Sequence, residues 1–238
     1  MTPQFHNATI LSIQKAGTIV RSFFIQIDPE STFTFQAGQF VALKLKSPDG
    51  DVIRYYSIAS SPSADNIIEL CIAFKPGGAG SEILWNNIQE GSKLEVGGPM
   101  GKFLLNLPIT RELCFIATGT GIAPLRSMIG YIFQSGISHG PITLIMGNRT
   151  EADNLYASEF ELLQAQHPDF RFIPTLSRPS PEWTGEQGYV HAVYQKHYAD
   201  KRPATFYLCG WQEMLKEARN KLEAMGYGRD SIRFESYG

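Results

Sequence analysis

Neither positive nor negative charge predominates in this sequence: 21 lysines and arginines stand against 23 acids, a net −2, and like charges form no block anywhere. That balance leaves no electrostatic footprint for DNA, RNA or an anionic membrane. No apolar run approaches the roughly 20 residues that a membrane-spanning helix requires. The opening MTPQFHNATI lacks a charged segment followed by an apolar one, as a secretory leader would have, so a cytoplasmic protein is expected. Only three cysteines occur, Cys71, Cys114 and Cys209, far apart and without CxxC spacing. A disulfide framework, a zinc site and an iron–sulfur site are therefore not encoded, and any redox chemistry must come from a bound organic cofactor. Internal repeats and low-complexity segments are also missing.

What is present is an ordinary globular composition, 43% apolar and 18% charged, over 238 residues, a length that suits two domains better than one. The first hundred residues read as strands. TIVRSFFIQI, QFVALKLK, RYYSIAS and IIELCIAF are rich in β-branched and aromatic residues and are separated by Gly, Pro, Asp and Ser clusters, which predicts a small antiparallel barrel. SEILWNNI is a helical interruption, and KLEVGGPMGKF a strand followed by glycine-rich turning. After Pro108 short apolar runs alternate with helical patterns: LCFIA with APLRSMIGYIFQ, ITLIM with LYASEFELLQAQ, FRFIPTL with GYVHAVYQKHY, TFYLC with QEMLKEARNKLEAM. This is the alternation of an open parallel α/β sheet, which SIRFES would extend. The boundary falls near residues 105–110, giving domains 1–107 and 108–238.

Three stretches carry chemistry. In FIATGTGIAP (115–124) a strand runs into Gly119 and Gly121 and then Pro124, which suits a helix's first turn. Such a turn lets backbone N–H groups approach a pyrophosphate, although it lacks the full GxGxxG fingerprint and also fits a plain tight turn. In RYYSIASS (54–61) Arg54 and Tyr56 share one strand face and Ser57 points to the other, offering a guanidinium, an aromatic plate and a hydroxyl; an amphipathic strand with Tyr55 out and Tyr56 in is the bland alternative. In KPGGAGSEILW (75–85) glycines lead into a helix with Ser81 at its expected N-cap, suited to a phosphate or serving only as a hinge.

Taken in order, R-x-Y-S, the glycine turn with its serine, GPMGKF, GTGIAP and CGWQEM resemble the ferredoxin–NADP reductase family from about residue 5 to the C-terminus. The resemblance implies an N-terminal antiparallel Greek-key β-barrel holding FAD, or occasionally FMN, followed by a Rossmann-like open parallel α/β sheet for NAD(P)H. It assigns Arg54 to the flavin phosphates, Tyr56 to packing on the flavin, Ser57 to a hydrogen bond near flavin N5, and Gly80 and Ser81 to the pyrophosphate. Gly119, Thr120 and Gly121 would receive the dinucleotide, with Cys209 and Gly210 beside the nicotinamide. The ending Glu235-Ser236-Tyr237 looks like the Glu-x-Tyr terminus of plant-type members, which makes Tyr237 a lid over the flavin face. Gly238, which follows it, departs from that ending. Glu235 and Ser57 would tune polarity and proton supply, whereas Cys209 reads as a buried contact residue rather than a nucleophile, since no neighbouring cation lowers its pKa.

Ser177 and Arg178 in TLSRP, joined by Arg149 in GNRT, resemble positions that hold the 2′-phosphate of NADP(H), which favours NADPH over NADH. The expected activity is hydride transfer from NAD(P)H to bound FAD and onward transfer to a separate ferredoxin or flavodoxin. A flavin reductase acting on free flavin and an electron-entry subunit of a larger complex are the alternatives. Lys44, Lys46 and Lys102 could meet an acidic carrier, but Asp49 and Asp51 cancel much of that field.

Overall fold

The computed structural model describes residues 3–48 and 50–237. The chain divides into two compact units, the first running to Leu105 and including Arg126–Ser135, the second comprising Asn106–Leu125 and Gly136 onward.

The first unit is an antiparallel sheet of six strands: β1 (Phe5–Lys15), β2 (Val20–Ile27), β3 (Phe40–Leu45), β4 (Val52–Ser57), β5 (Ile67–Ala73) and β6 (Lys93–Met100), in the order β4-β3-β6-β1-β2-β5. Just past β4, an isolated bridge between Ile58 and Leu70 joins the two outer strands, so the sheet curls into the expected barrel. Alternation drives it: Phe23, Ile25 and Ile27 turn inward and are fully buried, as are Val41 and Leu43 of β3. Each such side chain contributes about 1.5–3 kcal/mol on leaving water. One strand, β1, is not among those read from sequence, yet it lies inside the sheet between β2 and β6. Its polar positions are frequent, and the pairing with β2 slips between Ile10 and Ser12, which breaks the two-residue period that would have signalled it.

The helix predicted around SEILWNNI forms as α1, Ala79–Asn86, but begins earlier than expected. Gly78 holds the N-cap position, so Ser81 falls within the first turn. The reason is local: the Ser81 hydroxyl accepts the Lys75 N–H at 3.1 Å and lies 2.9 Å from the Lys75 carbonyl. It therefore ties off the Lys75–Gly78 turn instead of capping the helix.

The second unit is a parallel sheet built from β7 (Glu112–Thr118), β8 (Ile142–Asn148), β9 (Phe170–Leu176), β10 (Glu186–Gln187), β11 (Ala204–Gly210) and β12 (Ile232–Ser236), in the order β10-β9-β8-β7-β11-β12. Helices α2 (Ile122–Gln134), α3 (Ala157–Gln166), α4 (Val190–His197) and α5 (Gln212–Ala224) link the strands. The two-residue β10 is too short to carry a sequence pattern. After β7 the chain builds outward through β8 and β9, then returns to β7's other side as β11. The strand order reverses there, which is where open α/β sheets bind ligands, beyond the strands' carboxyl ends. Helix α2 is divided between the units: its first four residues count with the second, the rest with the first.

Candidate functional site

In the first unit, β4 delivers the R-x-Y-S residues. Arg54 is exposed and its guanidinium donates to the Ile53 carbonyl at 2.8 Å, while Tyr55 is 60% exposed and sets its ring edge-on against Phe40. Tyr56 packs against the barrel core, and burial pushes its phenol up to about 12. Ser57, on the other face, is buried and pairs in register with Phe40. Helix α1 starts beside this strand. A Cβ placed on Gly80 would sit 2.5 Å from Arg54 Cγ and 3.2 Å from Tyr56 Oη, so the arginine stem and the phenol converge on bare helix backbone. The first helical hydrogen bond is donated by Glu82 to Gly78. The N–H groups of Ala79, Gly80 and Ser81 precede it and have no partner one turn back. A guanidinium, free N–H groups and a glycine that leaves room beside them fit a dinucleotide's phosphates.

In the second unit, β7 ends at Thr118 and the chain makes one short 3-10 turn, Gly119–Gly121, before α2. Gly121 is pressed against the end of β11. A Cβ there would overlap the Cys209 carbonyl and lie 2.7 Å from Gly210 Cα. Sequence reasoning did not single out Thr118, whose hydroxyl accepts the Trp211 N–H at 3.1 Å and closes the same corner. A threonine preceding GTG was its only signal. Parallel pairing aligns Cys209 with Glu235 and Gly210 with Ser236. Cys209 is fully buried, and burial raises its thiol to about 12 despite a hydrogen bond with Tyr237. It stays a thiol at neutral pH and serves as a packing wall. The Tyr237 hydroxyl lies over the turn and donates to the Thr120 carbonyl at 3.4 Å, while the Gln212 amide reaches the Tyr237 carbonyl at 3.5 Å. Thus Thr120, Gly121, Cys209, Gly210, Glu235 and Tyr237 gather at one corner. Gly238 lies outside the described residues.

A third group sits where β8 and β9 end. The Arg178 N–H donates to the Arg149 carbonyl at 2.8 Å and the Ser177 N–H to the Asn148 carbonyl at 3.0 Å, so both arginines and the serine are neighbours. Arg149 and Arg178 are exposed, and among the described residues neither has an ion-pair partner. The lysines of the first unit differ: Lys44 pairs with Glu95 at 2.8 Å and with Asp51 at 3.5 Å, and Lys46 with Asp51 at 3.1 Å. Their charge is largely neutralised locally. Lys102 is exposed, and Asp49 lies outside the described residues.

Two family models match consecutive parts of the chain, an oxidoreductase FAD-binding domain over residues 7–104 and an oxidoreductase NAD-binding domain over residues 115–220. Fold and residues together define an oxidoreductase that uses FAD and a nicotinamide dinucleotide. Among curated proteins, ferredoxin–NADP reductase B of Sorangium cellulosum (strain So ce56) is 33% identical over 238 residues, covering 97% of this chain and 96% of that protein. The chain belongs to the ferredoxin–NADP reductase family. The reductase component DmpP of phenol 2-monooxygenase from Pseudomonas sp. (strain CF600) is also 33% identical, over 90% of this chain but only 60% of its own length. A crystal structure of a ferredoxin NADP+ reductase from Neisseria gonorrhoeae with bound FAD and NADP shares the fold, with a TM-score of 0.85 at 23% identity and 98% coverage of each chain.

Proposed function

We propose that this protein oxidises NADPH, in preference to NADH, through FAD and delivers electrons singly to a separate soluble carrier, a ferredoxin or flavodoxin, in the cytoplasm. The observation that carries this reading is the match to the Sorangium reductase along nearly its whole length. The three cysteines of this sequence, all buried, supply no four-thiolate ligand set for an iron–sulfur centre, which supports a separate carrier.

FAD supplies the step from a two-electron hydride donor to one-electron output. The chain's residues bind and orient. Arg54 and the free N–H groups of Gly80 and Ser81 hold the flavin's phosphates, Tyr56 packs against its ring, and Ser57 offers a hydroxyl at the ring's polar edge. Domain 1–107 carries these groups and domain 108–238 the nicotinamide corner at Gly119, Thr120, Gly121, Cys209 and Gly210. Glu235 sets the polarity of that corner. Tyr237 covers it as a lid, and its aromatic contact, about 0.5–1.5 kcal/mol beyond area burial, is weak enough for exchange with the nicotinamide ring. Protein truncated after Ser236 is expected to show altered nicotinamide affinity or a changed NADH/NADPH preference in steady-state kinetics; parental kinetics would remove the lid.

Arg149 and Arg178, without an ion-pair partner among the described residues, and Ser177 beside them support the preference for a 2′-phosphate. Arg178→Ala should raise the KM for NADPH about 10-fold or more, as losing one charge-assisted bond does, and leave that for NADH near parental. An equal rise for both dinucleotides rejects the assignment. The function as a whole is tested by the visible spectrum of the purified protein: a flavin band that bleaches anaerobically with NADPH, then one-electron reduction of an added ferredoxin or flavodoxin. Bleaching followed by transfer only to free flavin would support the flavin-reductase reading instead.

The longer reductase-component relatives favour a second reading, an electron-entry subunit of a larger assembly. Turnover with an artificial acceptor by a monomer on size-exclusion chromatography supports the free-standing reductase, and an inert, self-associating chain supports the subunit.

A further inference from the structure

The chain leaving β4 has little regular structure, yet several of its polar groups are held by specific partners. The Ile58 N–H donates to the Gln39 carbonyl at 3.0 Å and the Ala59 N–H to the Glu69 carbonyl at 2.8 Å. The Ser60 hydroxyl accepts the Glu69 N–H at 3.0 Å. Three residues of α2 pack against the same segment. The Arg126 guanidinium donates to the Ala59 carbonyl at 2.9 Å and to the Glu69 carboxylate at 2.7 Å, and the Ser127 hydroxyl donates to the Ser60 carbonyl at 2.7 Å. Gly130, one turn on from Arg126, leaves space for the Ser61 hydroxyl, which a Cβ would overlap. Both members of the ion pair are largely withdrawn from water, with side-chain exposures of 18% for Arg126 and 6% for Glu69.

A buried ion pair is a poor source of stability, because desolvating two charges offsets most of their attraction and apolar residues of similar volume would do as well. What such a pair supplies is direction. Here it fixes the carbonyl two residues beyond Ser57, while Ser57 itself is held by the β3–β4 ladder on its other side. We propose that Arg126, together with Glu69, is a positioning residue that sets the placement of the Ser57 hydroxyl, and through it the polar contact at the flavin ring. The proposal rests on the reading of Ser57 as a flavin contact. Arg126 itself acts through the Ala59 carbonyl and is assigned no contact with cofactor or substrate.

The test uses the FAD-loaded protein and four variants: Arg126→Ala, Arg126→Lys, Glu69→Gln and Ser57→Ala. For each, the flavin's visible spectrum and midpoint potential, the rate of flavin reduction by NADPH and the thermal midpoint are measured. Arg126→Ala should retain FAD, shift spectrum and potential in the same direction as Ser57→Ala, and slow flavin reduction about 10- to 100-fold, as misplacement of a positioning group does. Arg126→Lys should recover part of the loss. Combining Arg126→Ala with Ser57→Ala should add little to either alone, because both act through one contact. Glu69→Gln keeps the side chain's shape, so it carries the test if Arg126→Ala does not fold. An Arg126 or Glu69 variant whose thermal midpoint falls while spectrum, potential and rate stay parental overturns the proposal and leaves a residue of the fold alone. If Ser57→Ala is also spectrally parental, the Ser57 reading has failed and the proposal with it.

Discussion

Arg54→Ala protein is expected to leave purification with most of its FAD lost. The Arg54 stem lies against Gly80 at the head of α1, where the first N–H groups of the helix have no partner one turn back, so under the proposed function the guanidinium and the helix end would address the same phosphates. A hydrogen bond to a charged group is worth about 1.5–3 kcal/mol, which corresponds to about 10- to 150-fold in the FAD dissociation constant. Arg54→Lys should fall between, since an ammonium keeps the charge but loses the planar fork. Gly80→Ala should reproduce part of the defect by pushing Arg54 aside without removing it. Visible flavin absorbance against protein absorbance measures occupancy, and apoprotein titration by flavin fluorescence gives the affinity. Parental FAD content in Arg54→Ala would reject the phosphate role.

The second large effect is expected at Gly121. An added methyl there meets the Cys209 carbonyl, which lies near the end of β11 between β7 and β12 and has no flexible side chain to give way. The 119–121 turn must shift instead, and a displacement of about 1 Å in a positioning element costs about 100-fold in turnover. Gly121→Ala should therefore keep FAD, keep a flavin band, and lose about that factor in kcat/KM for both dinucleotides. Gly119→Ala is the built-in comparison. Its φ of +54° is unfavourable for alanine by about 1–2 kcal/mol, but no atom lies within 4 Å of the added methyl, so its catalytic defect should be smaller. Equal kinetics for Gly121→Ala and the parent would mean that the turn does not position the nicotinamide.

Much of this architecture is legible in the chain itself. The change from β-branched and aromatic runs set off by turn residues to short apolar runs alternating with helical patterns marks both units, because each pattern suits only one kind of element. Glycines followed by Pro124 announce a turn entering a helix, and α2 begins at Ile122, placing Pro124 in its first turn. Ser81 shows the limit. Its local sequence fits an N-cap, but the hydroxyl finds its partners in the preceding turn, at Lys75 and the Gly78 carbonyl, and the competition between capping and loop closure is settled by the path of the glycine-rich chain before it. Strand β1 was hidden for a related reason: a register slip interrupts its period, while pairing on both sides makes it part of the sheet's interior.

The two fold classes, the order of the motifs and the chemical types at each candidate position follow from the chain alone, because burial patterns and turn residues are local properties. Which of those groups meet is settled by tertiary packing. It set Gly80 against Arg54, Gly121 against Cys209, Tyr237 over Thr120, and Arg126 on Glu69 and Ala59. Those pairs lie from 26 to 117 residues apart, taking Arg54 to Gly80 and Thr120 to Tyr237 as the extremes, and no local propensity encodes a contact at such range. Strand order and register bring them together.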